Sequence, residues 1–279
     1  MAKRKFRHVI VAGIDGAGSF ALQAETPNMD SIFKNGAKTF RALASNPTVS
    51  GECWGSMFTG TAPDVHKMTN SIVSSVEYDL DSPYPSVFRR IKEAYPQVKM
   101  ASFCNWSPIN FGMVEHNLGV DFDTGKDDEL AAGIAEYIKA NKPDFMFIQF
   151  DSVDGAGHSS GYGSPGHLAQ ISVVDGYVGG IYNAVTDAGM ADDTLFIAIA
   201  DHGGTPDTGG GRHGGWTDAE KTVFFQAAGK GVCTGEIPQM NIRDLAAVIL
   251  YAFGIDIPAI TPGGLDGENT GKFVRQPMR

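Results

Sequence analysis

Cysteine and positive charge are both scarce in this chain, and each shortage removes a class of protein. Only 3 of the 279 residues are cysteine, namely Cys53, Cys104 and Cys233. They are odd in number, widely separated and form no CxxC pair. That excludes a disulfide framework or a cysteine-rich zinc site and fits a reducing compartment. Lys and Arg total 22 against 32 Asp and Glu, a formal net charge of −10. A surface so poor in cations does not suit a nucleic-acid polymer, whose binding depends on releasing phosphate counterions. An acidic protein that binds a phosphate must gather positive charge locally, and bound cations do this most simply. No apolar run is long enough for a membrane helix. The amino terminus, MAKRKFRHVIVAGIDGAG, begins like a leader peptide, but Asp15 and two glycines interrupt its short apolar stretch. It reads instead as a buried first strand. The expectation is a cytoplasmic protein with no membrane partner.

Repeats, low-complexity segments and recognisable linkers are also lacking, so one domain over residues 1–279 is the simplest reading. Glycine, by contrast, is plentiful: 35 residues without a collagen-like period imply tight turns and loops that approach a ligand closely. Short continuous apolar runs over 8–14, 98–103, 144–151 and 194–200 predict buried strands. Helices are expected over 27–36, 52–59, 85–95, 127–142, 167–188 and 242–253. This alternation predicts an α/β fold, a three-layer α/β/α sandwich around a largely parallel sheet.

Polar residues follow three of the apolar runs: Asp15, then Asp154 with His158, then Asp201 with His202. Ligands of open α/β sheets sit beyond the carboxyl ends of the strands, so these residues are expected to gather on one edge. In IAIADHGG (197–204) the adjacent Asp201 and His202 enter a glycine turn. They suit an oxygen and a nitrogen ligand for zinc, or else a surface pair at a strand end. In DSVDGAGHSSG (151–161) a glycine-rich loop either curls Asp154 and His158 around an ion, with Asp151 as an alternative ligand, or is simply a flexible polar loop. His213 stands in GGGRHGG (209–215), where a packed structural role is hard to imagine. Its neighbour Arg212 either touches a substrate phosphate or is simply solvated. Ser50, in PTVSGECWGSMFTG (47–60), is expected at or just before a helix N-terminus. There it is either an anion-facing nucleophile or an N-cap. Gly16 to Ala21 formally fits GxGxxA, a dinucleotide fingerprint, but Pro27 allows at most a brief helix after it.

Together these segments resemble the alkaline phosphatase superfamily, in particular its type I phosphodiesterase/nucleotide pyrophosphatase branch. The resemblance covers residues 8 to about 266 and includes TPNMDSIFKNGAKTF (26–40), TGTAPDVH (59–66) and VVDGYVGGIYNAV (173–185). It implies two divalent cations, zinc in the first instance with manganese tolerated by many of the same ligands. Asp154, His158 and His213 would hold one. Asp15, Asp201 and His202 would hold the other, with the oxygen of Ser50 reaching it. Ser50 would be the nucleophile on a small phosphate ester and would pass through a phosphoserine. Gly51, Cys53 and Arg212 are the candidate substrate contacts. His66, His167 and Asp175 are read as structural.

The sulfatase branch carries x-Pro-x-Arg after its nucleophile, where this chain has Glu52 and Trp54, and an Asp-Asn pair where it has Asp201-His202. Sulfatase chemistry is therefore not expected. Cys53 stands where the phosphodiesterase branch is expected to carry Asn, three residues after the nucleophile. That leaves monoester and diester substrates both open, along with phosphotransfer to another alcohol and a metal-binding relative without catalysis.

Overall fold

The computed structural model describes residues 3–207, 209–237 and 239–256. Residues 257–279, which the one-domain reading and the end of the resemblance include, lie outside the described residues. Ten strands appear in chain order: β1 (His8–Ile14), β2 (Ala37–Leu43), β3 (Met100–Cys104), β4 (Val120–Thr124), β5 (Phe145–Phe150), β6 (Thr194–Ile199), β7 (Thr205–Asp207), β8 (Gly210–Arg212), β9 (Thr222–Ala228) and β10 (Gly235–Glu236). The helices are α1 (Pro27–Ile32), α2 (Ser50–Thr59), α3 (Pro63–His66), α4 (Asn70–Val73), α5 (Val87–Ala94), α6 (Pro108–Gly112), α7 (Asp127–Asn141), α8 (Ser152–Ser160), α9 (Pro165–Asp187), α10 (Asp218–Lys221) and α11 (Asp244–Ala252).

Eight strands form one sheet in the order β10-β2-β9-β6-β1-β5-β3-β4, and β7 and β8 form a separate hairpin. All pairings in the large sheet are parallel except those of β9, which runs antiparallel to both β2 and β6. Strands β1, β5 and β6 are buried at every position. Their continuous apolar sequences follow from helices covering both faces of a parallel sheet. Helix α9 packs with α1, α7 and α8, while α2 packs with α5 and α11. The architecture is the expected α/β/α sandwich.

Topology positions the site. Strand β1 lies between β5 and β6, with Ile14 level with Phe150 and Gly13 level with Ile199. The residues that leave these three strands, Asp15, Asp151 and Asp201, therefore emerge side by side at the carboxyl edge. Helix α2 is wedged close against that edge. A methyl at Gly13 would lie 2.5 Å from the Trp54 ring, so only glycine permits the approach.

Two expectations need correction. Residues 152–160 form helix α8 and not a loop. Asp154 and His158, four apart, thus share one helix face with their side chains one turn apart. Helix α1 stops at Ile32, four residues short of Gly36. Its amino end is held by Asp175 on α9, which accepts from the backbone N–H groups of Asn28 and Met29 at 3.0 and 2.8 Å. A carboxylate at a helix amino terminus is electrostatically favourable, which is the structural role read for Asp175.

Candidate metal centre and nucleophile

Ser50 is the first residue of α2, and its N-cap is Val49, with no side-chain cap. The capping role is therefore not the one its hydroxyl plays. Its Oγ lies 3.2 Å from His202 Nε2 and 3.5 Å from Asp15 Oδ1. Asp15 and Asp201 are almost wholly buried, and so is His202. Asp15 Oδ2 accepts from Trp54 Nε1 and from Gln149 Nε2, both at 2.9 Å. Asp201 Oδ1 accepts from the N–H groups of Gly16 and His202 at 3.0 and 2.8 Å.

Around the second group, Tyr162 donates its hydroxyl to Asp154 Oδ1 at 2.5 Å, and Asp154 Oδ2 lies 3.2 Å from His158 Nε2. His213 stacks on His202 with ring centroids 4.0 Å apart. Asp154, His202 and His213 offer ligand atoms within 4.8 Å of one another, as do Asp15, Asp201 and His202. His158 adjoins the Asp154 and His213 side of the cluster from the exposed side.

Three observations test whether this donor set fits cations. First, Nδ1 of each histidine is placed on a backbone carbonyl: His158 on Gly211, His202 on Gly203 and His213 on Thr48, at 3.1, 3.0 and 2.7 Å. A carbonyl only accepts, so each Nδ1 carries a proton and each ring directs its Nε2 towards the cluster. This is the orientation that metal-binding histidines are given. Second, the Nε2 atoms of His158 and His213 face each other at 3.2 Å. Two lone pairs at that distance repel unless a cation or a proton lies between them. Third, Asp201 Oδ2 is buried without a hydrogen-bond donor, an arrangement that costs free energy unless a charge compensates it. The residues fit two divalent cations.

The electrostatics agree. Burial, followed by the neighbouring Asp154 charge, pushes the Asp15 carboxyl up to about 6. Burial and then Asp15 push Asp201 well above the carboxylate range. Burial also acts to raise Asp154, but His158, His202, His213 and the Tyr162 hydroxyl outweigh it and hold that carboxyl well below its usual range. His158, hydrogen-bonded to Asp154, is raised to about 9. His213, through burial and then His202, is lowered to about 4. Carboxylates crowded this closely call for added positive charge.

Asp151 stands one layer out. It shares the Gln149 amide with Asp15, accepting from Nε2 at 3.0 Å, while Asp154 occupies the cluster. Among the expected substrate contacts, Cys53 is corrected. It is fully buried in α2, its Sγ lies 3.9 and 3.8 Å from the carbonyl oxygens of Ser45 and Pro47, and burial raises its thiol far above the usual range. Position 53 follows Ser50 by three residues and lies on the neighbouring helix face, but the side chain is sunk in the core and has no surface to offer a substrate. Gly51 is modified as well, since its N–H donates to Asn70 Oδ1 at 2.7 Å. The exposed Asn70 thereby meets the amino end of α2 through its side-chain oxygen. Arg212, on β8, is 75% exposed and pairs with Asp207 at 3.4 Å.

The dinucleotide alternative also falls. Gly16 and Gly18 have φ of 67° and 53°, and a methyl on Gly16 would lie 2.4 Å from Asp154 Oδ1. These glycines serve the turn and the approach of Asp154, and a three-residue 3-10 helix follows them where a long helix would be needed. His66 donates to Ser56 and accepts from the N–H of Met68, and His167 accepts from Gly163 N–H and donates to Gly16 O, so both are packing residues.

Sequence reasoning missed the supports Trp54, Gln149, Tyr162, Thr48 and Asn70. One signal was available: Gln149 is the lone polar residue in the buried strand FMFIQF, and such a residue must hydrogen-bond to something.

A family profile described as type I phosphodiesterase / nucleotide pyrophosphatase matches residues 9–87 and 74–220. The chain belongs to that family. No curated protein sequence matches it. Among solved structures, murine ectonucleotide pyrophosphatase / phosphodiesterase 5 superposes with a TM-score of 0.75 at 16% identity, over 95% of this chain and 99% of that one. An inactive form of the murine protein with AMP gives 0.76 at 16%, over 96% and 99%. A 2-O GAG sulfatase gives 0.73 at 14% identity, over 98% of this chain and 75% of the other. At these identities the likeness is one of fold.

Proposed function

We propose that this family member hydrolyses small phosphodiesters, including nucleotide-type pyrophosphate substrates, with Ser50 as nucleophile and two divalent cations, zinc in the first instance. The observation that carries the reading is the placement of Ser50 Oγ at the first residue of α2, 3.2 Å from His202 Nε2 and beside Asp15. Asp15, Asp201 and His202 would hold one cation; Asp154, His158 and His213 would hold the other. Bound cations would neutralise the phosphoryl group and favour the alkoxide form of an adjacent hydroxyl.

The residues supply the rest. The amino end of α2 offers a positive dipole to the phosphate. Ser50 Oγ bonds to phosphorus as the bond to the leaving oxygen breaks. Water then replaces Ser50 and releases the second product. Trp54 and Gln149 hold Asp15, Tyr162 holds Asp154, and Thr48 holds His213. We place the protein in the cytoplasm, in keeping with its unpaired cysteines. Among the described residues no helix is long and apolar enough to cross a membrane.

The test is turnover of bis(p-nitrophenyl) phosphate by zinc-loaded wild type, chelator-treated protein and Ser50→Ala. Turnover in the first alone supports the reading. Substantial turnover in Ser50→Ala refutes the nucleophile.

A further inference from the structure

Two buried side-chain oxygens among the described residues have no hydrogen-bond partner, Asp201 Oδ2 and Glu52 Oε2. Two divalent cations would account for the first. Glu52, two residues after Ser50 in α2, is 9% exposed and stands outside the ligand set. An unpartnered buried carboxylate costs free energy that a neutral side chain would avoid. A group that breaks this rule is expected to answer to function.

The carboxyl lies at the amino end of α2. The first turn of a helix leaves its N–H groups without partners inside the helix, and helical side chains lean back towards that end. Gly51 N–H donates to Asn70 Oδ1 at 2.7 Å, and Glu52 N–H donates to the Glu52 carboxyl itself. Burial raises this carboxyl, while its own N–H and the charge of His202 act against the rise. The Cys53 thiol, raised first by burial, is raised further by Asp201, Asp15 and Glu52. Glu52 thus shares the surroundings of two candidate metal ligands, and its Oε2 finds no donor there.

The strongest influences on Asp15, Asp154 and Asp201 are burial, hydrogen bonds and other members of the cluster, with no lysine or arginine among them. The charges of these three carboxylates and of an ionised Ser50 match those of two divalent cations. Glu52 adds one negative charge beyond that balance. A diester brings a single negative charge, whereas a monoester brings a second above about pH 6. We propose that Glu52 makes this site select phosphodiesters over phosphomonoesters, its carboxylate at the amino end of α2 repelling the second charge of a monoester. The proposal rests on the phosphodiesterase reading and names the residue that sets its substrate class.

Two measurements test it, both at about pH 8, where a monoester is a dianion. Bis(p-nitrophenyl) phosphate and p-nitrophenyl phosphate share a leaving group and differ by one charge. For zinc-loaded Glu52→Gln the ratio of monoester to diester kcat/KM should rise at least about tenfold over wild type. That is the scale of one unit charge felt across about 10 Å at an effective dielectric of about 20. An unchanged ratio, including one in which both rates fall together, would leave Glu52 a helix-end charge and overturn the proposal.

The second measurement needs no turnover. Inorganic phosphate should bind zinc-loaded Glu52→Gln at least about tenfold more tightly than zinc-loaded wild type in calorimetric titrations. Equal affinity, weaker binding by the variant, or no binding to either protein would overturn the proposal. If neither ester is turned over by either protein, the phosphodiesterase reading fails, and the phosphate titration still decides whether Glu52 repels a dianion at α2.

Discussion

Tyr162→Phe isolates one support of the candidate centre. The Tyr162 hydroxyl donates to Asp154 Oδ1 at 2.5 Å, and burial together with the Asp154 charge pushes its ionisation far above the ordinary range, so it remains a donor. The ring is packed tightly: methyls on Gly157, Gly204 and Gly211 would meet it at 2.4, 2.4 and 2.6 Å. Phenylalanine keeps that packing and deletes only the hydroxyl. A hydrogen bond to a charged group contributes about 1.5–3 kcal/mol, which at about 1.4 kcal/mol per decade is about 10- to 150-fold in affinity. Loss of an outer-shell partner of a metal ligand weakens binding by about 10- to 100-fold. The two estimates agree. Zinc titration of metal-free wild type and variant against a chromogenic chelator should therefore show one of two sites weakening by at least about tenfold, with the other site and the Tm of the metal-free protein little changed. Zinc binding within about twofold of wild type at both sites would refute the claim that Asp154 is a ligand positioned by Tyr162.

Gly16→Ala should be more damaging, because φ is 67° and the new methyl would lie 2.4 Å from Asp154 Oδ1. We expect a loss of at least about 1 kcal/mol of stability by denaturant unfolding, together with reduced metal content. Gln149→Leu removes the amide that Asp15 and Asp151 share. Its zinc affinity should fall by about 10- to 100-fold in the same chelator titration. Burial lowers His66 from 6.5 to about 4. A depressed histidine binds fewer protons folded than unfolded, so its contribution to stability is present above about pH 6.5 and is lost as pH falls towards about 4. The Tm of wild type should consequently drop more steeply than that of His66→Gln between those values, as read by thermal scans.

Much of this site was legible because the chain repeats one device. An apolar strand ends in a polar residue at β1, β5 and β6, and the parallel order β6-β1-β5 brings those ends together. His213 was legible from its glycine setting, although the carbonyl of Thr48 that orients it comes from a distant segment. Strand β9 was not, since its antiparallel course between β2 and β6 depends on pairing that local sequence does not encode. Helix α8 was missed because Gly155 and Gly157 are poor helix formers. A methyl on Gly157 would meet the Tyr162 ring at 2.4 Å, so packing overrides propensity there. Cys53 was misassigned by spacing from the nucleophile alone, because spacing along α2 does not say how deeply a residue is buried.

The most direct test of Ser50 as the attacking group is to quench zinc-loaded protein in acid during turnover of bis(p-nitrophenyl) phosphate and map the peptides by mass. The account predicts one added phosphoryl group, as its nitrophenyl ester, on the peptide that contains Ser50 and none in Ser50→Ala. Steady turnover with that peptide unmodified, or a phosphoryl group on another residue, would contradict it.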